Sequence, residues 1–121
     1  MRTYLKPLNL VLPLAIFLLA LPTNAFANAK TKAAEQAGAT LFLDKGCAHC
    51  HGADLAGTRK APALPTTLRK DKMWTVQKLT SQILDGGPKM PPFRDSLTDE
   101  EAAQLVAYLR AKHRPVPAAK K

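Results

Sequence analysis

The sequence predicts an all-α fold in a single small domain, and three observations carry that expectation. No stretch alternates β-branched and aromatic residues with period two, so no sheet is expected. Three stretches instead repeat apolar residues at helical spacing. Finally, the 121 residues hold two cysteines, both inside one Cys-x-x-Cys, so no disulfide can close a long loop. A domain this small buries little surface and usually needs disulfides, a metal or a cofactor to hold it. Something other than a disulfide must complete this core.

The first segment has the grammar of a secretory signal. Arg2 and Lys6 give a positive start, Leu8 to Leu21 is a nearly unbroken apolar run, and Ala25-Phe26-Ala27 places small residues around a cleavage point. The run is 14 residues with Asn9 and Pro13 inside it, whereas a spanning helix needs about 20 apolar residues. Cleavage near Ala27, export to the periplasm and no permanent membrane span are therefore expected. Residues 1–27 form the signal peptide, 28–32 a flexible segment, 33–114 the domain and 115–121 a disordered basic tail. The mature chain keeps 94 residues, with 16 Lys and Arg against 9 acids, a formal charge of +7.

Within the domain, Ala34, Ala37, Gly38, Leu41 and Phe42 mark the first helix, and Gly46 is a natural stop. A long turn-rich stretch follows from His51 to Trp74, with Gly52, Gly57, Pro62 and Pro65. Loops of that length in compact domains usually wrap something. Val76, Leu79, Ile83 and Leu84 make the stripe of the second helix, with Thr75 as N-cap and Gly86-Gly87 as terminator. The third is the best marked. Thr98 and Glu101 form a capping box, Ala102, Leu105, Val106 and Leu109 repeat at helical spacing, and Pro115 stops the chain. Arg110, Lys112, His113 and Arg114 suit the negative end of that helix.

The chemistry sits in Cys47-Ala48-His49-Cys50-His51. Cys-x-x-Cys-His is the c-type haem attachment signature: two thiols on one turn each form a thioether, and the next imidazole points at the iron. A thioredoxin-like redox pair would need a preceding strand in a βαβ unit, and here a helix precedes the motif. A zinc site wants four ligands, and only His49 and the distant His113 could add to the motif. A surface disulfide would explain neither His51 nor the missing core. His49 fills a position open to any residue and reads as solvent-facing. For the sixth iron ligand the candidates are Met73, Met90 and His113. Met90 lies in Gly87-Pro88-Lys89-Met90-Pro91-Pro92-Phe93, where the prolines forbid a helix and stiffen the loop. Met73, beside Trp74, reads as core.

With these residues the chain resembles class I cytochrome c, the small bacterial mono-haem, His/Met-ligated type, over residues 34 to 112. The resemblance implies three to five helices wrapped around one covalent haem c with its iron. Gly38, Phe42, Leu105 and Tyr108 resemble the family's crossing of first and last helices. Ala61-Pro62-Ala63-Leu64 is similar to the segment whose proline carbonyl receives the axial histidine's N–H. Trp74 resembles the tryptophan that contacts a haem propionate, and Met90 matches the family's Met-Pro-Pro loop. The implied ligand set is Cys47 and Cys50 for the haem, and His51 and Met90 for the iron. A thioether sixth ligand raises the reduction potential, and two filled axial positions leave no place for substrate. The expected function is an electron carrier rather than an enzyme. A cytochrome subunit fixed to a periplasmic dehydrogenase or sulfur-oxidising enzyme is the alternative, and a haem enzyme or gas sensor would require Met90 not to bind.

Dispersed basic residues on an exported protein exclude nucleic acid as a partner. Redox proteins with an acidic docking patch are the expected partners of a monomer. Lys89 and Arg94 on the methionine loop, and Lys45 before the haem motif, are the candidate docking charges.

Overall fold

The computed structural model describes residues 23–117, which form five helices and, among the described residues, no strand. They are α1 (Thr23–Asp44), α2 (Ala48–His51), α3 (Leu64–Lys70), α4 (Val76–Asp85) and α5 (Asp99–Arg110). Most of the expected signal segment and residues 118–121 of the expected tail lie outside the described residues. No described helix is long and apolar enough to cross a membrane.

The 22-residue α1 runs about 33 Å at 1.5 Å per residue. It takes in residues 28–32, for which the sequence suggests a flexible segment. These residues are mostly Ala and Lys, good helix formers, and extending an existing helix costs far less than starting one. The helix stops as expected, with Gly46 in the left-handed region at φ 77°.

Helices α1 and α5 cross at Gly38. A Cβ there would fall inside contact distance of the Gln104 carbonyl and the Tyr108 Cβ, so only glycine lets the backbones approach this closely. Phe42 and Tyr108 close the crossing with ring centroids 5.8 Å apart. Ala39, Ala102, Leu105, Val106 and Leu109 fill the core around them.

α5 carries both bonds of its capping box, Glu101 N–H to Thr98 Oγ1 at 3.1 Å and Thr98 N–H to Glu101 Oε2 at 2.8 Å. It ends at Arg110, well before Pro115, and Arg114 folds back to donate to the Leu109 carbonyl at 3.0 Å. Thr75 caps α4, which buries Leu79, Ile83 and Leu84 and ends at Gly86. Val76, placed on that stripe by its spacing, is exposed in the first turn. The stretch from His51 to Trp74 is more ordered than its composition suggests, because α3 forms inside it. α3 carries no buried residue and so shows no apolar stripe, and Pro65 sits in its first turn, where proline starts a helix rather than breaking it.

Candidate functional site

The turn after α1 builds the site. Gly46 reverses the chain, and the single turn of α2 is closed by His51 N–H to the Cys47 carbonyl at 3.0 Å and Gly52 N–H to Ala48 at 2.9 Å. Cys47 and Cys50, three apart on this turn, share a face; both are half-buried free thiols. Burial pushes the Cys47 thiol above its ordinary value, against a backbone hydrogen bond that lowers it and a smaller push from Cys50.

The two sulfurs and His51 line a largely apolar cleft of about 470 Å³, within the size of small-molecule and cofactor sites. Leu79, Ile83, Leu105 and Leu109 contribute its apolar wall, and Met90 lines the same cleft. His51 Nδ1 lies 3.3 Å from the Pro62 carbonyl. A carbonyl can only accept, so Nδ1 carries the proton and Nε2 keeps its lone pair for a metal. Gly57 makes this approach possible: it sits at φ 82°, and a Cβ there would run into Pro62 and Ala63. Its N–H bonds the His51 carbonyl at 2.8 Å, and Thr58 Oγ1 bonds the Cys50 carbonyl at 2.6 Å, pinning the loop to the motif.

Met90 sits in a tight reversal in which Gly87 N–H bonds the Met90 carbonyl at 2.8 Å. Prolines 88, 91 and 92 flank it. Met73, read from the sequence as core, is instead 67% exposed and outside the cleft; its N–H is taken by the Asp71 carboxylate in the turn before α4. His49 is exposed, with Nδ1 3.1 Å from the Gly46 carbonyl, and neither it nor His113 lines the cleft. Trp74 does line it, half-buried, with the Lys78 ammonium 5.2 Å from its ring centroid and Arg110 donating to its carbonyl at 3.0 Å.

The charges divide differently from the expectation. Lys45 donates to the Ser96 carbonyl at 2.6 Å and pairs with Glu101 at 3.6 Å. Arg94 donates through Nε and Nη2 to Asp85 Oδ1 at 3.0 and 2.5 Å. That hydrogen bond and charge raise the Arg94 guanidinium above its ordinary value. Glu101 is held below the usual carboxylate range, first by the Thr98 N–H and then by Lys45. Two of the three candidate docking charges are therefore engaged within the chain, because the fold sets each beside a carboxylate: Lys45 beside Glu101, 56 residues on, and Arg94 beside Asp85, nine residues back across the methionine loop. Lys89 lines the cleft as expected, and so does Lys60, which sequence reasoning missed because nothing local marks it. Gln82 was missed too: its Nε2 lies 3.0 Å from the Gly86 carbonyl and 3.9 Å from the Met90 sulfur.

Residues 33–109 match the family model described as cytochrome c oxidase, cbb3-type, subunit III. The chain belongs to this family of c-type cytochrome domains. Over 88 residues it is 35% identical to the cbb3-type cytochrome c oxidase subunit FixP of Sinorhizobium medicae, an overlap of 63% of this chain and 29% of that one. Over 104 residues it is 29% identical to cytochrome c6 of Nostoc sp., covering 84% of this chain and 92% of that protein. The chain thus spans less than a third of the first relative and nearly all of the second. No solved structure matches it. The fold is that of a small mono-haem c-type cytochrome, and members of this family bind haem c with iron covalently and transfer electrons. The cleft fits that group: two thiols one turn apart, an imidazole with a free Nε2, a thioether and apolar walls.

Proposed function

We propose that Cys47 and Cys50 hold haem c through two thioethers, that His51 and Met90 are its axial ligands, and that the protein carries single electrons. One observation carries this reading: residues 43 apart in sequence, Cys47 and Met90, open onto one apolar cleft with His51 and its Pro62 contact. The haem supplies a reversible one-electron centre. The protein's part is to fix it, shield it and set its potential. The Pro62 carbonyl orients His51 and raises its basicity. The Met90 thioether favours the ferrous state and raises the potential. Trp74, at the cleft wall, would contact a propionate.

Residues 1–27 would direct export and be removed, leaving residues 33–114 as a periplasmic domain. With both axial positions filled from the chain, electron transfer at the haem edge is the chemistry left to it. Lys60 and Lys89 at the cleft would draw the acidic surface of a redox partner, raising encounter rate more than affinity. A free carrier is supported by the near full-length overlap with cytochrome c6. The overlap with FixP supports a second reading, a cytochrome domain that serves an oxidase assembly.

The test is ligand replacement in the holoprotein. Haem should travel with the polypeptide on a denaturing gel. Met90→Ala should abolish the methionine-to-iron charge-transfer band of the ferric form and admit carbon monoxide to the ferrous form, while Met73→Leu changes neither. Haem that extracts completely into acidic organic solvent, or the reverse pattern in the two methionines, would sink the assignment.

A further inference from the structure

Arg94 was a candidate docking charge on sequence grounds, yet its side chain is spent at the neck of the methionine loop. Residues 86–93 form that loop, and the Leu84 carbonyl accepts from both the Phe93 and Arg94 N–H groups at 3.1 Å each. Across the same neck the Arg94 guanidinium donates twice to Asp85 Oδ1. Immediately beyond, the Ser96 carbonyl is held at 2.6 Å by Lys45, two residues before Cys47. The loop is stiffened inside by prolines 88, 91 and 92 and by the reciprocal Gly87–Met90 backbone bonds. A loop built this way moves as one body, and its freedom lies at its neck.

We propose that the Asp85–Arg94 ion pair is a latch that sets how fast Met90 releases the sixth position of the iron, making both residues positioning groups for the axial ligand. This rests on the reading of Met90 as that ligand. Asp85 and Arg94 are more than half exposed, so the latch opens without disturbing the core. Local openings of that kind draw on the least stable part of a fold. An incoming ligand reaches the iron only after the loop has swung away. At saturating ligand the observed rate is then the opening rate of the neck.

Imidazole, buffered well above the group's ordinary pKa of about 6.5 so that its neutral form dominates and is insensitive to surface charge, is the probe. It is mixed with the ferric holoprotein by stopped flow, and loss of the methionine-to-iron charge-transfer band is followed. Arg94→Gln and Asp85→Asn should each raise the limiting rate by about two- to fivefold, the range an exposed ion pair can supply. Arg94→Lys should keep most of the wild-type rate, and Asp85→Arg combined with Arg94→Asp should return toward it, an outcome that a purely packing role for either side chain would not give. Lys72→Gln, which removes an equal charge outside the cleft, should leave the rate unchanged. A wild-type protein that shows the band and an Arg94→Gln protein with an unchanged limiting rate would overturn the latch alone. A wild-type protein with no such band would overturn the ligand assignment and the latch with it.

Discussion

Substituting Gly38 by alanine puts two effects of opposite sign at the helix crossing. Alanine in a helix interior is favoured over glycine by about 1 kcal/mol. Against this, the new Cβ would overlap the backbone carbonyl of Gln104 and the Cβ of Tyr108, neither of which is the end of a flexible side chain. Relief requires α1 and α5 to move apart, loosening Phe42 against Tyr108 and the packing of Ala39, Ala102 and Leu105. Overpacking in a well-filled core costs typically 1–3 kcal/mol, and the rigid backbone neighbour places this site near about 3. The net loss is about 2 kcal/mol, which lowers the melting temperature of a domain this size by about 8–16 °C. Thermal unfolding of the ferric holoprotein by far-ultraviolet circular dichroism measures it. Ala33→Gly, on the exposed part of α1, gives the propensity effect alone and should cost about 1 kcal/mol. A Gly38→Ala protein as stable as wild type, or more so, would show that the helices do not meet at Gly38.

Two further outcomes follow from the charges. The Glu101 carboxyl is lowered in the fold by the Thr98 N–H and by Lys45, so its stabilisation is present above its ordinary value of 4.5 and lost as pH falls through the depressed folded value. The melting-temperature gap between wild type and Glu101→Gln should be widest at neutral pH and close below that range; a constant gap would mean that the charge plays no part. Lys89 lines the cleft and Lys72 does not. Lys89→Glu should therefore slow second-order electron transfer to an acidic partner more than Lys72→Glu, and the difference should shrink as salt shortens the screening length to about 8 Å and below. Equal losses from the two variants would reduce the basic surface to a solubility role.

Signals that act within a turn or two were legible before any fold was known. The Thr98–Glu101 box, the Thr75 cap and the Gly46 and Gly86 stops all join groups three or four residues apart, so residue type and spacing suffice. The same holds for the Cys47-x-x-Cys50-His51 turn. The α3 helix escaped because it has no buried residue and hence no stripe, and Met73 and Val76 were misplaced because their exposure depends on what the rest of the chain leaves uncovered.

The sequence by itself determined three of the five helices, α1, α4 and α5, together with the haem signature and the proline-stiffened loop that carries Met90. Only the tertiary structure decided which methionine opens onto the cleft, and that Lys45 and Arg94 are bound to Ser96, Glu101 and Asp85 while Lys60 and Lys89 border the site. It also showed what Gly38 is for, since the Gln104 carbonyl it accommodates lies 66 residues further along the chain. The physical reason is common to all of these. Apolar packing and electrostatics depend on distance in space, and a partner far along the chain leaves no periodic mark on the residues beside it.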